Sequence, residues 1–219
     1  MKTFLQKSKL IAASALISCL ALSGNAQASL ITVSTGFSGA GPQASADAYK
    51  SIVEAAVATP GAGYGSSTLS AFNNFSNHGL FGSNSNIAFE FTIDFGVAAG
   101  QVGTWDFRAG VDFGGGGAVF LDGVALGFKS NDMWWSGSFS NPTQYFAYSS
   151  NLSAGNHRLS IYGLEGCCDG NQQAQFRSAN SNTFTTFSTA DQINPVPEPA
   201  TLALLGLGLL GYAASRRKA

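Results

Sequence analysis

Cys167 and Cys168 are adjacent, and adjacent thiols have few chemical options. In an oxidising compartment they close on each other, bond another chain or persist as free thiols. Consecutive Cα atoms lie about 3.8 Å apart across a trans peptide, whereas ordinary disulfides span about 4.4–6.8 Å. Closure would therefore make a tight eight-membered ring in the turn Gly166-Cys167-Cys168-Asp169-Gly170. The spacing argues against structural zinc, whose cysteines stand two to four residues apart. Asp112 ahead of Gly114–Gly117, and Asp169 with Asn171 behind the cysteines, are oxygen donors that would share a cation only if two distant loops meet. Calcium asks for about six to eight oxygens. The alternative is that both aspartates are turn formers bonded to their own backbone. Met133-Trp134-Trp135, followed by Ser136-Gly137-Ser138, offers Trp134 and Trp135 as an aromatic platform for a sugar ring, or as one core and one rim residue.

Catalytic machinery is thin. His78 lies in an Asn-rich segment, and His157 opens a strand on what alternation makes the solvent side. Neither has an acid and a nucleophile nearby in a recognisable order, and no Gly-Xaa-Ser-Xaa-Gly elbow occurs. Glu165 with Asp169 is a carboxylate pair of the kind glycoside hydrolysis uses. Gly114–Gly117 lacks the Lys and Ser/Thr of a phosphate loop. Gly206-Leu207-Gly208-Leu209-Leu210-Gly211 has the letters of a dinucleotide fingerprint, but no acidic residue follows about 20 positions on. These observations lead to the expectation of a binding or structural protein, not an enzyme.

The elements that must position these residues read mostly as strands. Ile87, Phe89, Phe91, Ile93 and Phe95 alternate with Ala88, Glu90, Thr92 and Asp94, and Trp105 to Phe113 repeats the pattern. Gly100–Gly103 reads as a hairpin connection between the two. Asp122-Gly123, flanked by apolar runs, is a strong hairpin signal because both turn residues need positive φ. Further strands are expected at 145–149, 157–164, 174–177 and 183–188, with a turn at Ser153-Ala154-Gly155-Asn156. One short helix is expected at 44–59, started by Asp47 and stopped by Pro60-Gly61. Residues 61–86 read as a long loop pinned by Phe72, Phe75 and Phe81. The fold class is all-β, a sandwich or jelly roll with one short N-terminal helix and one C-terminal hydrophobic helix.

Both ends read as targeting segments. Lys2, Lys7 and Lys9 precede an apolar stretch, and Ala26-Gln27-Ala28 supplies a signal-peptidase site, so residues 1–28 form a signal peptide and Ser29 starts the mature chain. Residues 29–193 form the extracytoplasmic domain, and 194–219 form a tail with a transmembrane helix at 200–214. That run spans about 22 Å as a helix, short of a roughly 30 Å hydrocarbon core. The whole chain carries a formal charge of −1. The domain alone holds five basic against eleven acidic side chains, a net −6. That sign argues against nucleic acid and anionic membranes as partners and permits divalent cations.

Pro197-Glu198-Pro199, the apolar run from Ala200 to Ala214 and Arg216-Arg217-Lys218 together resemble the PEP-CTERM sorting tail of Gram-negative bacteria. The resemblance implies handling by an exosortase at the inner membrane, in cells that make an exopolysaccharide, with delivery to the cell surface or matrix. The segment from Ile161 to Gly170 resembles a PEP-CTERM group named for a Cys-Cys-Xaa-Gly motif. Phe107 to Phe113, Val119 to Gly123 and Leu152 to Leu159 together resemble the PA14 type of β-sandwich. Some members of that type bind sugars through calcium held by two neighbouring aspartates and a loop side chain. The resemblance implies a calcium site at Asp112 with Gly114–Gly117; the residues themselves add Asp169 as a second calcium ligand and Trp134, Trp135, Asp169 and Asn171 to the ligand loops, with exopolysaccharide as partner. The departure is Phe113, which stands where a second aspartate belongs.

Overall fold

Alternation at period two becomes two antiparallel sheets that share one core. The computed structural model describes residues 29–191 and residue 193. The signal peptide with Ala26 and Ala28, and the sorting residues Pro197, Glu198, Pro199, Arg216, Arg217 and Lys218 with the helix at 200–214, lie outside the described residues. In chain order the elements are β1 (Leu30–Phe37), α1 (Ala46–Val57), β2 (Ser66–Leu69), β3 (Asn73–Phe75), α2 (Asn77–Phe81), β4 (Ser85–Val97) and β5 (Gly103–Gly110). There follow β6 (Asp112–Phe113), β7 (Gly117–Leu121), β8 (Val124–Lys129), β9 (Met133–Trp134), β10 (Tyr145–Leu152), β11 (Gly155–Cys167), β12 (Gln172–Arg177) and β13 (Thr185–Thr186). The first sheet runs β2-β1-β4-β11-β7-β8 and the second β10-β5-β12-β13, with β3 on β12 and a two-stranded ribbon of β6 and β9.

Between the sheets lie Phe89, Phe91, Ile93 and Phe95 from β4, Leu159 and Ile161 from β11, and Trp105, Phe107, Ala174 and Phe176 from the second sheet. The other face of the first sheet carries α1, whose Ala46, Tyr49 and Val53 pack on Ala88, Ala118, Phe120, Tyr162 and Leu164. Helix α1 lies where expected, but Ser45 caps it, accepting from the Ala48 N–H, and Asp47 sits in the first turn. A serine oxygen one residue outside the helix reaches the free N–H groups from extended backbone, which a residue already inside the turn cannot do.

The chain departs from expectation in three places. The connection at 100–103 is no hairpin: it holds a short 3-10 turn and carries the chain from β4 in one sheet to β5 in the other. Both strands have one apolar face, and a single core is satisfied when those faces oppose each other across it. Likewise the turn at 153–156 leads from β10 to β11 across the sheets, with Gly155 and Asn156 already in strand. Residues 61–86 form no long loop, because β2, β3 and α2 lie within them. Asp122-Gly123 does turn β7 into β8, with φ of 50° and 79°.

Phe113 is fully buried, 5.5 Å from the Phe89 ring and 6.2 Å from that of Phe91 between centroids, and its ring lies against the bare backbone of Gly163. A Cβ on Gly163 would fall inside that ring. We therefore expect Gly163→Ala to cost about 1–3 kcal/mol as an overpacked core, read as a lower urea midpoint with an unchanged slope.

Candidate functional site

The ring that fills the core also aims its neighbours. With Phe113 inward, Asp112 pairs with Trp134 across the β6–β9 ribbon and Gly114–Gly117 fold back over β11. Gly115 N–H donates to the Leu164 carbonyl at 2.8 Å, and Leu164 N–H to the Gly116 carbonyl at 3.0 Å. Helix α1 holds the same loop, since the buried Tyr49 hydroxyl donates to the Gly115 carbonyl at 2.8 Å. Gly116 has φ of 77°, and a Cβ there would meet the Lys129 carbonyl. Glycine is required at this position both by φ and by space.

Under this loop three carboxyls meet. Glu165 continues the inward series of Leu159, Ile161 and Gly163, is 3% exposed, and accepts from the N–H groups of Gly114 and Cys167. Asp112, 9% exposed, accepts from the Gly170 N–H. Asp169 accepts from the His78 N–H at 2.8 Å, its own N–H donates to the Asn84 carbonyl at 3.0 Å, and Oδ1 is buried without a hydrogen-bond partner among the described residues. Cys167 and Cys168 are joined by a disulfide across a cis peptide bond, both exposed, in the turn that carries Glu165 and Asp169. Burial, then the charges of Glu165 and Asp169, push the Asp112 carboxyl up to about 7. Burial lifts Asp169 to about 6 against the pull of the His78 and Asn77 N–H groups, and burial also raises Glu165.

Outside this acidic floor stands Trp134, 65% exposed, with its N–H donating to Gln144 Oε1 at 2.6 Å. Trp135 turns the other way, 7% exposed, its ring seated on the backbone of Gly110 and 5.2 Å from Phe139. Two clefts flank the pair. One of about 420 Å³ is lined by Asn73, Asn74, Trp134, Trp135, Ser136, Gly137, Gly170 and Asn171. The other, about 260 Å³, is lined by Trp134, Trp135, Ser136, Ser138, Ser140, Asn141 and Gln144.

The expected site residues thus divide into two layers. Trp134, Trp135 and Asn171 line the cleft, while Asp112 and Asp169 lie beneath it beside Glu165. The two loops do converge, but their carboxylate oxygens are largely taken by backbone N–H groups. Among the described residues no three His, Cys, Asp or Glu side chains are placed to hold a metal ion. His157, expected on the solvent side, packs on Phe95 and bonds Asp122 at 2.7 Å and the Ser153 carbonyl at 2.9 Å. Asn73, Asn74 and Gln144 gave no sequence signal, since lone polar residues in loops carry no period.

Residues 195–218 match the PEP-CTERM protein-sorting motif. The match is confined to the tail, and the sandwich ahead of it is not part of it. No curated protein matches the chain. Among solved structures, the PA14 domain of the MpAFP antifreeze protein is similar at 9% identity and a TM-score of 0.48, over 78% of this chain and 94% of that one. A PA14 sugar-binding domain from an RTX adhesin is similar at 11% identity and 0.47, over 78% and 98%. The A domain of epithelial adhesin 9 from Candida glabrata, solved with Galb1-4GlcNAc, is similar at 8% identity and 0.44, over 80% and 93%.

The carboxyl layer gives stability a pH dependence. Asp112 and Asp169 titrate at about 7 and about 6 in the fold against 3.8 ordinarily. The folded state holds their protons more tightly, so their contribution is complete below about pH 4 and lost as pH rises through about 6 and about 7. Asp112→Asn, which keeps the shape and removes the charge, should raise stability at pH 8 by on the order of 1–2 kcal/mol and leave it unchanged at pH 4. Thermal unfolding at the two pH values checks this.

Proposed function

We propose that the chain is an exported, non-enzymatic binding protein of the cell surface or exopolysaccharide matrix, which takes carbohydrate at the Trp134 cleft. The observation that carries this reading is the placement of Trp134, largely exposed between two clefts whose other walls are amide and hydroxyl side chains, Trp135 and two glycines. A tryptophan left in water costs stability unless something covers it, and sugars offer apolar ring faces with hydroxyls at the rim. Glu165 and Asp169, the carboxylate pair that hydrolysis would need, are committed to backbone N–H groups below the cleft. The sorting motif at 195–218 supports handling by an exosortase; signal-peptidase cleavage at Ala28 and an inner-membrane-held precursor in a Gram-negative cell are part of the same proposal.

A second reading, a structural matrix protein that self-associates and binds no particular glycan, is favoured by one observation. Strand β8 is the free edge of the six-stranded sheet and exposes Val124 at 68% and Phe128 at 43%. Exposed apolar edges pair with other strands.

Binding of the exported protein to a glycan array and to the polysaccharide of its own host separates the readings. We expect selective binding that falls at least about tenfold in Trp134→Ala, about 1.4 kcal/mol, with the melting temperature preserved. Absence of glycan binding, together with loss of self-association in Phe128→Lys, transfers the function to the second reading. Mass spectrometry of the surface protein should find a C-terminus ahead of Ala200; an intact Arg216-Arg217-Lys218 end would make the tail a lasting anchor.

A further inference from the structure

The two ends of the domain meet at one carboxylate. Ser29 is 1% exposed although it precedes the first strand, and its hydroxyl donates to Asp191 Oδ1 at 3.0 Å and to the Ile193 carbonyl at 3.2 Å. Asp191 in turn organises the strap that closes the domain. Its Oδ2 accepts from the Ser188 N–H at 2.9 Å and its Oδ1 from the Ile193 N–H at 3.3 Å. The strap is docked on both sides, by Phe187 in the core, by Thr189 N–H on the Ser70 carbonyl at 2.9 Å, and by Gly96 N–H on the Ile193 carbonyl at 2.8 Å. Ile193 is 3% exposed and stands two residues ahead of the sorting motif.

Asp191 has acceptor bonds but no cation. Among the described residues no Lys, Arg or His forms an ion pair with it, and burial pushes its carboxyl up. On the adjoining strands Asp94, opposite Leu30, and Arg158 pair with each other at 2.6 Å. A carboxylate withdrawn from water without a counter-charge is costly to keep. The missing cation is one hydrolysis away.

We propose that signal-peptide removal completes this site: the new α-ammonium of Ser29 pairs with Asp191 and fixes the strap from which the sorting segment departs. Water adds across the Ala28–Ser29 peptide bond, leaving a carboxyl on Ala28 and an amine on Ser29, which takes up a proton at neutral pH. That nitrogen is three bonds from the Ser29 hydroxyl oxygen, so it lies no more than about 7 Å from Asp191 Oδ1 by covalent reach, and a small rotation brings it within the roughly 4–6 Å over which an opposite charge acts. While Ser29 is still joined to Ala28 its nitrogen is an uncharged amide. The pair therefore exists only in the exported, processed protein, and it ties the first processing event to the anchoring of residues 188–193.

The inference rests on cleavage after Ala28, and N-terminal sequencing of the exported protein tests that part alone; any start other than Ser29 overturns the proposal and leaves the Trp134 reading untouched. With Ser29 established, the melting temperature at pH 7 is compared with that of protein carrying one additional alanine before Ser29, in wild-type and Asp191→Asn backgrounds. The extra residue should lower it by about 2–4 °C in the wild type and leave the Asp191→Asn protein unchanged. Equal shifts in both backgrounds, or no shift in either, overturn the pair. Should Asp191→Asn fail to fold, titration of the wild-type α-amine decides: the proposal requires a value above the ordinary range of about 7.7–8.0, and a value within that range refutes it.

Discussion

The contact between the Phe113 ring and the bare backbone of Gly163 seats the β6–β9 ribbon on the first sheet at the end where the loops gather. The ring needs a glycine beneath it and the rings of Phe89 and Phe91 beside it. Once it is seated, the residue before it and the four glycines after it have little freedom. Asp112 is turned into the ribbon with Trp134, and the glycines pass so close to Lys129 and Tyr162 that side chains would not fit. Phe113 serves packing, while Glu165 and Asp169 accept from the N–H groups of Gly114, Cys167 and His78.

Carboxyls placed under a glycine loop are a costly foundation, since each loses hydration on burial. Their compensation is local and backbone-made: the loop, the cysteine turn and the start of α2 all donate N–H groups to them. This arrangement adds to the sheet hydrogen bonds that hold the glycine loop on β11 and ties both to the start of α2. The charged groups are spent on holding the loops together, which leaves amides, hydroxyls, glycines and two tryptophans to line the clefts.

The strands of the core were legible because burial on one face imposes period two, as in Ile87 to Phe95, and Asp122-Gly123 was legible because its φ values are chemically demanding. Which sheet a strand joins was not legible. β4 and β5 show the same alternation whether they pair or face each other, and only the closure of the whole sandwich decides. β2 and β3 escaped notice because Ser66-Ser67-Thr68 and Asn73-Asn74 bear no apolar pattern; they are strands by backbone pairing with β1 and β12. In the site, Trp134 and Asn171 stood out by residue type. Glu165 as a partner of Gly114 did not, since the two are 51 positions apart and meet only through the fold.

Ser29 and Ile193 lie by the Val97 end of β4, whereas the Trp134 cleft lies by its Ser85 end, where Cys167 pairs with Ser85 and Asp169 reaches Asn84. The 13 residues of β4 put about 40 Å between these poles. A molecule tethered by its tail and gripped at its cleft is therefore loaded along its long strands. Force in that direction shears the β4–β11 ladder, so that its hydrogen bonds resist together instead of opening one at a time.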